Sequence, residues 1–328
     1  MSARISYVAP SAHRVLVLTN FSAGARPREE AIRGLLMRLK ERGLGAEVVT
    51  GLAELDSQVA RYHANGQLRA VVAAGGDGTI AEIVNRTPLG VPVTVFPMGT
   101  ANLLANYLGL SQDSRALAET LVEGATMKLD TGRANGRIFL LMAGCGFDAE
   151  VVARLHRKRS GGNISYWTWA TPILDAVRNY GYPDLRITAE TGEEGEAGHI
   201  EYRARWAFAV NLPCYAGGLQ VAPHAVGTDG LLDVTTFDKG SFWHGLRYVG
   251  LVALGWHQVL SDCRSMRVKR VRIESNEPVP YQLDGDPGGV LPLDIEVLVE
   301  RLNVLAPRAR LVELGGVLDT SEGAKVAS

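Results

Sequence analysis

Five residues with the composition of an anion-binding turn, Gly75, Gly76, Asp77, Gly78 and Thr79, follow an unbroken apolar run over residues 70–74 and precede a helical pattern. Glycines let a backbone approach an anion with no Cβ in the way, and the free amides that open a helix point at the same place. Asp77 adds a carboxylate suited to a magnesium-bound water or a hydroxyl, and Thr79 an oxygen that can bond a phosphate or cap the helix. Residues 97–102, PMGTAN, repeat this arrangement, with Gly99 and Thr100 directly after a second apolar run and a helical stretch behind them. Two such turns are hard to explain as packing alone.

The acidic turns are more ambiguous. In residues 215–234, YAGGLQVAPHAVGTDGLLDV, Asp229-Gly230 reads as a turn before a strand, although neighbouring backbone carbonyls can complete an oxygen cage for a hard cation around Asp229. Leu283-Asp284-Gly285-Asp286 is equally a hairpin turn or the carrier of a carboxylate that accepts the proton of an attacking hydroxyl. Residues 144–149, GCGFDA, match G-x-G-x-x-A but lack the acidic residue that a dinucleotide site places about twenty positions on, so they read as a structural turn beside a cleft. The histidines have no metal-ligand spacing, and no Ser/His/Asp order or nucleophile elbow occurs.

The elements that must position these residues alternate over the first part of the chain. Apolar runs at 13–19, 46–50, 68–74 and 91–96 read as strands, and the segments 28–42, 52–63, 79–85, 103–108 and 115–123 as helices. That order predicts a mostly parallel sheet with helices on both faces and ligands at the carboxyl ends of the strands. Thr50 ends a strand at that edge and, taken alone, is a strand-end residue. From Met127 the runs become short and alternating, as in MRVKRVRIE, which is the pattern of antiparallel strands with one solvated face. Helical stretches interrupt them at 148–158, 166–179 and 241–262. The expected organisation is an α/β domain over 1–128, a β-rich antiparallel domain over 129–314 whose end can pack back on the first, and a flexible tail over 315–328.

Composition narrows the partners. A formal charge of −1 gives no global reason to expect nucleic acid. Three widely spaced cysteines form neither a disulfide framework nor a zinc site, which points to a reducing cytosol. The N-terminus lacks the apolar core of a signal peptide. The segment 242–260 is too polar and too short to span a bilayer, so it reads as core or as an interfacial, acyl-chain surface. The basic run Arg154, His156, Arg157, Lys158 and Arg159 is a solvated helix end that can also meet anionic headgroups.

In order and spacing these blocks resemble the diacylglycerol kinase catalytic-domain family, which includes bacterial lipid kinases and the sphingosine and ceramide kinases. The resemblance covers residues 14–305: GGDGT at 75–79, MGTAN at 98–102, GCGFDA at 144–149, AGGLQVAPHAVGTDGLLDV, and Asp284-Gly285-Asp286 where the family has D-G-E. It implies an NAD kinase/phosphofructokinase-like first domain that binds ATP through Asn20, Thr50, Gly75, Gly76, Asp77, Gly78, Thr79, Gly99, Thr100 and Asn102, with Asp77 organising Mg²⁺. It also implies a structural Mg²⁺ held by Asp229 with the carbonyls of Val226 and Leu231. Asp130 and Asp284 fall to the substrate network, and Asp286 is the base that activates a lipid hydroxyl in the cleft between the domains. Peripheral membrane contact from the cytoplasm follows, and a homodimer is left open. Ala81 and Leu103 depart from the family at subfamily positions. Asp286 in place of Glu shortens the side chain by about 1.5 Å. The competing readings are an NAD kinase, which shares GGDGT and a β-rich second domain, and an inactive nucleotide- or lipid-binding regulator.

Overall fold

The computed structural model describes residues 3–19, 25–158, 180–191, 198–214 and 220–318. The chain divides into two compact units, Met1–Asp130 with Val299–Ser328, and Thr131–Leu298. The end of the expected 129–314 domain, free by that expectation to pack back on the first, joins the first unit from Val299.

In the first unit β1 is Arg4–Tyr7, β2 Arg14–Thr19, β3 Gly45–Val49, β4 Leu68–Gly75 and β5 Pro92–Pro97. β2 pairs in parallel with β3 and β4, and β4 with β5. β4 is the centre, buried from Leu68 through Ala74, because its alanines and valines face helices on both sides. The helices are α1 (Ala25–Glu41), α2 (Leu52–Ala64), α3 (Asp77–Arg86), α4 (Leu103–Tyr107) and α5 (Ser114–Glu123). Each lies within two or three residues of its expected bounds.

Two edge features escaped the sequence reading. β1 is too short and polar to declare itself, yet it pairs with the start of β6 (Ala125–Ala134) through Ile5 and Met127. Residues 317–318, expected in a flexible tail, pair in parallel with Arg4 and Ile5. The returning strand adds Asn303 and Val304 beside Pro92 and Val93. From it Arg301 donates to the carbonyls of Val84 and Thr87, both at 2.7 Å, at the C-terminal end of α3.

The second unit is antiparallel. β7 (Arg137–Phe139) and β8 (Met142–Cys145) are followed by α6 (Phe147–Lys158), β9 (Leu185–Thr191), β10 (His199–Ala204), β11 (Trp206–Val210) and β12 (Leu232–Phe237). α7 (Phe242–Ala253), β13 (Cys263–Glu274), β14 (Pro280–Leu283), β15 (Asp286–Val290) and β16 (Leu293–Leu305) complete it. β14 and β11 flank β8, and β12 and β9 both pair with β13. Cys145, Ile187, Val234, Val271, Ile273 and Leu283 fill the core between them.

Between β7 and β8 the apolar run 138–143 breaks at Leu140 and Leu141, whose amides turn to the Asp284 carboxylate. The helix expected over 241–262 stops at Ala253, where Gly255 takes a positive φ of 71° and Trp256 N–H reaches back to the Leu251 carbonyl at 2.8 Å. The helix expected over 166–179 lies outside the described residues. Among the described residues no helix is long and apolar enough to cross a membrane, and the three cysteines are unbridged.

Candidate active site

The two glycine turns of the first unit meet at the carboxyl ends of β4 and β5. A Cβ on Gly99 would lie 2.5 Å from the Gly76 Cα, and one on Gly75 only 2.2 Å from the Thr79 Oγ1. Real Cβ atoms essentially never approach so closely, so the turns touch backbone to backbone and glycine is required at the contact. Met98 N–H donates to the Gly75 carbonyl at 2.9 Å, extending the strand ladder into the turns.

Asp77 ties the turns together. Its Oδ2 accepts the Leu103 N–H at 3.0 Å and its Oδ1 the Leu104 N–H at 3.1 Å, so one carboxylate opens α3 and also receives the first amides of α4. Asn102 sits in the left-handed region at φ 49°, ψ 46°. Its amide group clasps Gly99, accepting that N–H and donating to that carbonyl, both at 2.9 Å. Asn102 and Asp77 thus shape the cradle through side chains that are already bonded, whereas Gly78 and Thr100 are exposed at its lip. Thr50 is exposed at the carboxyl end of β3, and Asn20 lies outside the described residues.

Sequence reasoning missed Arg28. Its Nη2 donates to the Met98 carbonyl at 2.9 Å, and among the described residues no carboxylate pairs with it. Helical periodicity gave no reason to separate it from the other exposed charges of α1; only the fold brings it to the second turn.

Asp130 is 1% exposed and its Oδ1 accepts the Glu300 N–H at 2.8 Å, where Glu300 has a positive φ of 52°. Its visible work is to hold the returning strand in register.

In the second unit Asp284 and Gly285 are the two central residues of the β14–β15 hairpin, both with positive φ (51° and 86°). That is the type I′ turn that Asp-Gly favours. The Asp284 carboxylate accepts three amides, Leu140 at 2.7 Å, Leu141 at 2.8 Å and Met142 at 3.0 Å. A carboxylate so enclosed is an anchor, which differs from the substrate contact expected of it.

Asp286 opens β15 at the corner of the hairpin, with the Arg137 guanidinium 3.9 Å away. Behind it lies a buried pair. Gln282, fully buried, accepts the Gly285 N–H at 2.7 Å and donates to the Asp148 Oδ2 at 2.9 Å. Burial pushes the Asp148 carboxyl up to about 7, with the Gln282 hydrogen bond opposing. Burial, then the nearby Asp148, pushes the Cys145 thiol up, so it is not a reactive thiolate.

Of the donor set expected for a structural Mg²⁺, the Asp229 carboxylate and the Val226 carbonyl are engaged within the protein. Asp229 Oδ1 accepts the Leu231 N–H at 3.0 Å, its Oδ2 pairs with Arg267, and the Val226 carbonyl accepts the Thr228 N–H at 2.9 Å. Arg267 supplies the positive charge that the cation would have brought. Among the described residues no group of three or more His, Cys, Asp or Glu could hold a metal. ATP fits the first unit better, since a Cβ-free cradle with helix-opening amides suits a phosphate chain. A Mg²⁺ there would be held chiefly by phosphate oxygens and water, its usual mode beside a nucleotide.

A parallel α/β unit with paired glycine turns is followed by an antiparallel β-rich unit. The sequence matches the diacylglycerol kinase catalytic domain model over residues 14–134 and the YegS C-terminal NAD kinase beta sandwich-like domain model over residues 142–306. A diacylglycerol kinase of Mycobacterium tuberculosis is 30% identical over 305 residues, covering 90% of this chain and 96% of that protein. One from Bacillus subtilis is 27% identical over 310 residues, covering 92% and 99%. A crystal structure of a diacylglycerol kinase from Bacillus anthracis superposes with a TM-score of 0.64 at 18% identity, covering 90% of this chain and 98% of that one; this likeness carries the fold alone. The chain belongs to the diacylglycerol kinase catalytic-domain family, and at that level it is a lipid kinase.

Proposed function

We propose that the chain transfers the γ-phosphoryl group of ATP, as its Mg²⁺ complex, to the hydroxyl of diacylglycerol or a closely related lipid, an activity that feeds phospholipid synthesis. The observation that carries this reading is the cradle in which Gly76 meets Gly99 while Asp77 caps α4. The amides opening α3 bind phosphate oxygens, and Arg28, held at the Met98 carbonyl, adds a fixed cation beside them. Phosphoryl transfer needs positioning and charge stabilisation more than covalent chemistry, which a rigid backbone cradle supplies. Mg²⁺, when bound, would supply charge neutralisation for the transferring phosphoryl group.

Asp286 is the one acidic-turn carboxylate assigned to chemistry. It takes the proton of the acceptor hydroxyl, with the Arg137 guanidinium 3.9 Å away. Asp284 and the buried Gln282–Asp148 pair hold the hairpin that carries it. The reading implies an enzyme that works at the cytoplasmic face of a membrane.

The test is transfer from labelled ATP to diacylglycerol, monoacylglycerol, ceramide, a sphingoid base and phosphatidylglycerol in mixed micelles, with NAD as a further acceptor. Labelling of one lipid class is expected. Label on NAD alone, or saturable ATP binding with no product, overturns the reading in favour of an NAD kinase or an inactive binder.

A further inference from the structure

We infer that the outward face of α7 and the turn after it form a docking surface for an anionic lipid bilayer. The inference rests on the lipid-kinase reading only for its biological sense; the surface itself is read from burial and charge.

One side of α7 is fixed to the second unit. Tyr248 is fully buried, its hydroxyl donates to the Asp262 Oδ2 at 2.8 Å, and its ring lies 4.5 Å from that of Phe237. His257, also fully buried, has its Nε2 2.8 Å from the Val221 carbonyl. The other side is apolar and bare. Trp243 is 74% exposed, Leu246 48%, Leu254 62%, Trp256 63% and Val259 85%. Positions 243, 246, 250 and 254 follow helical spacing, so Trp243, Leu246 and Leu254 share a face with Gly250, and Trp256 and Val259 continue it beyond the helix. Soluble proteins keep such contiguous patches for interaction.

The chemistry favours a bilayer over a second copy of the chain. Tryptophan at both ends of an aliphatic stretch is the side chain that partitions to the membrane–water boundary. Residues 240–261 contain no Asp or Glu, while Lys239 and Arg247 rim the patch. The nearest carboxylate in sequence, Asp262, is 5% exposed and lies inward, 3.7 Å from the Lys239 Nζ and 3.8 Å from the Arg247 Nη1. Asp238, beside Lys239, is matched by Arg264 at 3.1 Å, so two cations against the buried Asp262 leave a positive rim, which anionic headgroups attract and a two-fold partner repels. The helix is amphipathic and lies on a surface instead of crossing it.

The test uses the full chain with vesicles of phosphatidylcholine, alone or mixed with phosphatidylglycerol. Co-sedimentation with the anionic vesicles is expected, together with quenching of tryptophan emission by lipids brominated on their acyl chains. The double variant Trp243→Ser/Trp256→Ser should bind at least about tenfold more weakly, and Arg247→Gln should lose the preference for anionic vesicles. Because these side chains point outward, melting temperature and transfer to a monomeric short-chain diacylglycerol should stay at wild-type levels in the double variant, while transfer to vesicle-embedded lipid falls. Wild-type vesicle affinity in the double variant overturns the inference. So does a lipid-free dimer of the wild type that the double variant dissociates, which would make the patch a self-association face. A wild type that docks through the patch yet phosphorylates no lipid refutes the kinase reading and leaves the docking surface standing; transfer to vesicle lipid unaffected by the double variant does the reverse.

Discussion

The glycine turns of the first unit and the acidic hairpin of the second are built on opposite plans. In the first, a carboxylate serves the backbone: Asp77 takes Leu103 and Leu104, Thr79 N–H turns back to the Gly76 carbonyl at 3.0 Å, and on the proposed reading the amides of Asp77 and Gly78 meet the ligand. In the second, the backbone serves a carboxylate: Leu140, Leu141 and Met142 all donate to Asp284, and the proposed base is its neighbour Asp286 at the corner. On the proposed reading, phosphate recognition is a property of main-chain shape, and proton transfer the property of one side chain.

The largest effect expected from this contrast is at the contact between turns. Gly99→Ala places a Cβ 2.5 Å from the Gly76 Cα and 2.8 Å from the Asn102 Oδ1. Both neighbours are held, so the turns must separate, and ATP binding measured by calorimetry should fall with transfer by about a hundredfold or more. Tight ATP binding by this variant would show that the cradle is not where phosphate sits.

The hairpin separates scaffold from chemistry in the same way. Asp286→Asn should lower the transfer rate by about two to four orders of magnitude while ATP affinity and the unfolding midpoint stay unchanged. Asp284→Ala should do the converse first, losing about 4 kcal/mol in urea titrations as three amides lose an ionised acceptor. If Asp286→Asn unfolds the protein and Asp284→Ala only slows it, the two roles are exchanged.

Much of this division was legible in the sequence because the first unit is written locally. β4 and its turn are an apolar run followed within five residues by every glycine the turn needs, and each element sits between clear stops. What stayed hidden acts across long separations. Nothing near Leu140 announces that its amide will turn to Asp284, and the unbroken apolar run 138–143 gave no sign of a break. Arg28 reaches Met98 seventy positions on, and Arg267 reaches Asp229 from another strand. Spacing cannot reveal such partners, since what selects them is the register of an antiparallel sheet or the packing of a helix. The acidic turns stayed open between turn and site, and only the family resemblance assigned them roles, because Asp-Gly looks the same whether its carboxylate faces a ligand or its own backbone.

A smaller effect probes the support behind the hairpin. Asp148 has a folded value raised from 3.8 to about 7, so its neutral form is the one the fold favours. Its contribution is fully present below pH 3.8 and is lost as pH rises through about 7. Asp148→Asn should flatten the decline in stability between these values, a difference of at most about 4 kcal/mol. Parallel urea midpoints for the two proteins at acid, neutral and mildly alkaline pH would mean that the carboxyl is not held neutral.

The smallest effect concerns the turn where a cation was expected. Arg267 and Asp229 are partly exposed, so their pair is worth about 1 kcal/mol or less, and Arg267→Gln should cost no more than that. A cation bound only by the folded state at a hundredfold excess over its Kd would add about 2.7 kcal/mol. The wild-type melting temperature, read without nucleotide, should therefore not respond to Mg²⁺ or to a chelator. Arg267→Gln frees one oxygen of Asp229, and if the turn retains any capacity for a metal, Mg²⁺ should stabilise this variant. A clear Mg²⁺-dependent rise in the wild type would mean that the cation displaces the guanidinium, and the second unit would then depend on a ligand for its fold just as the first depends on one for its chemistry.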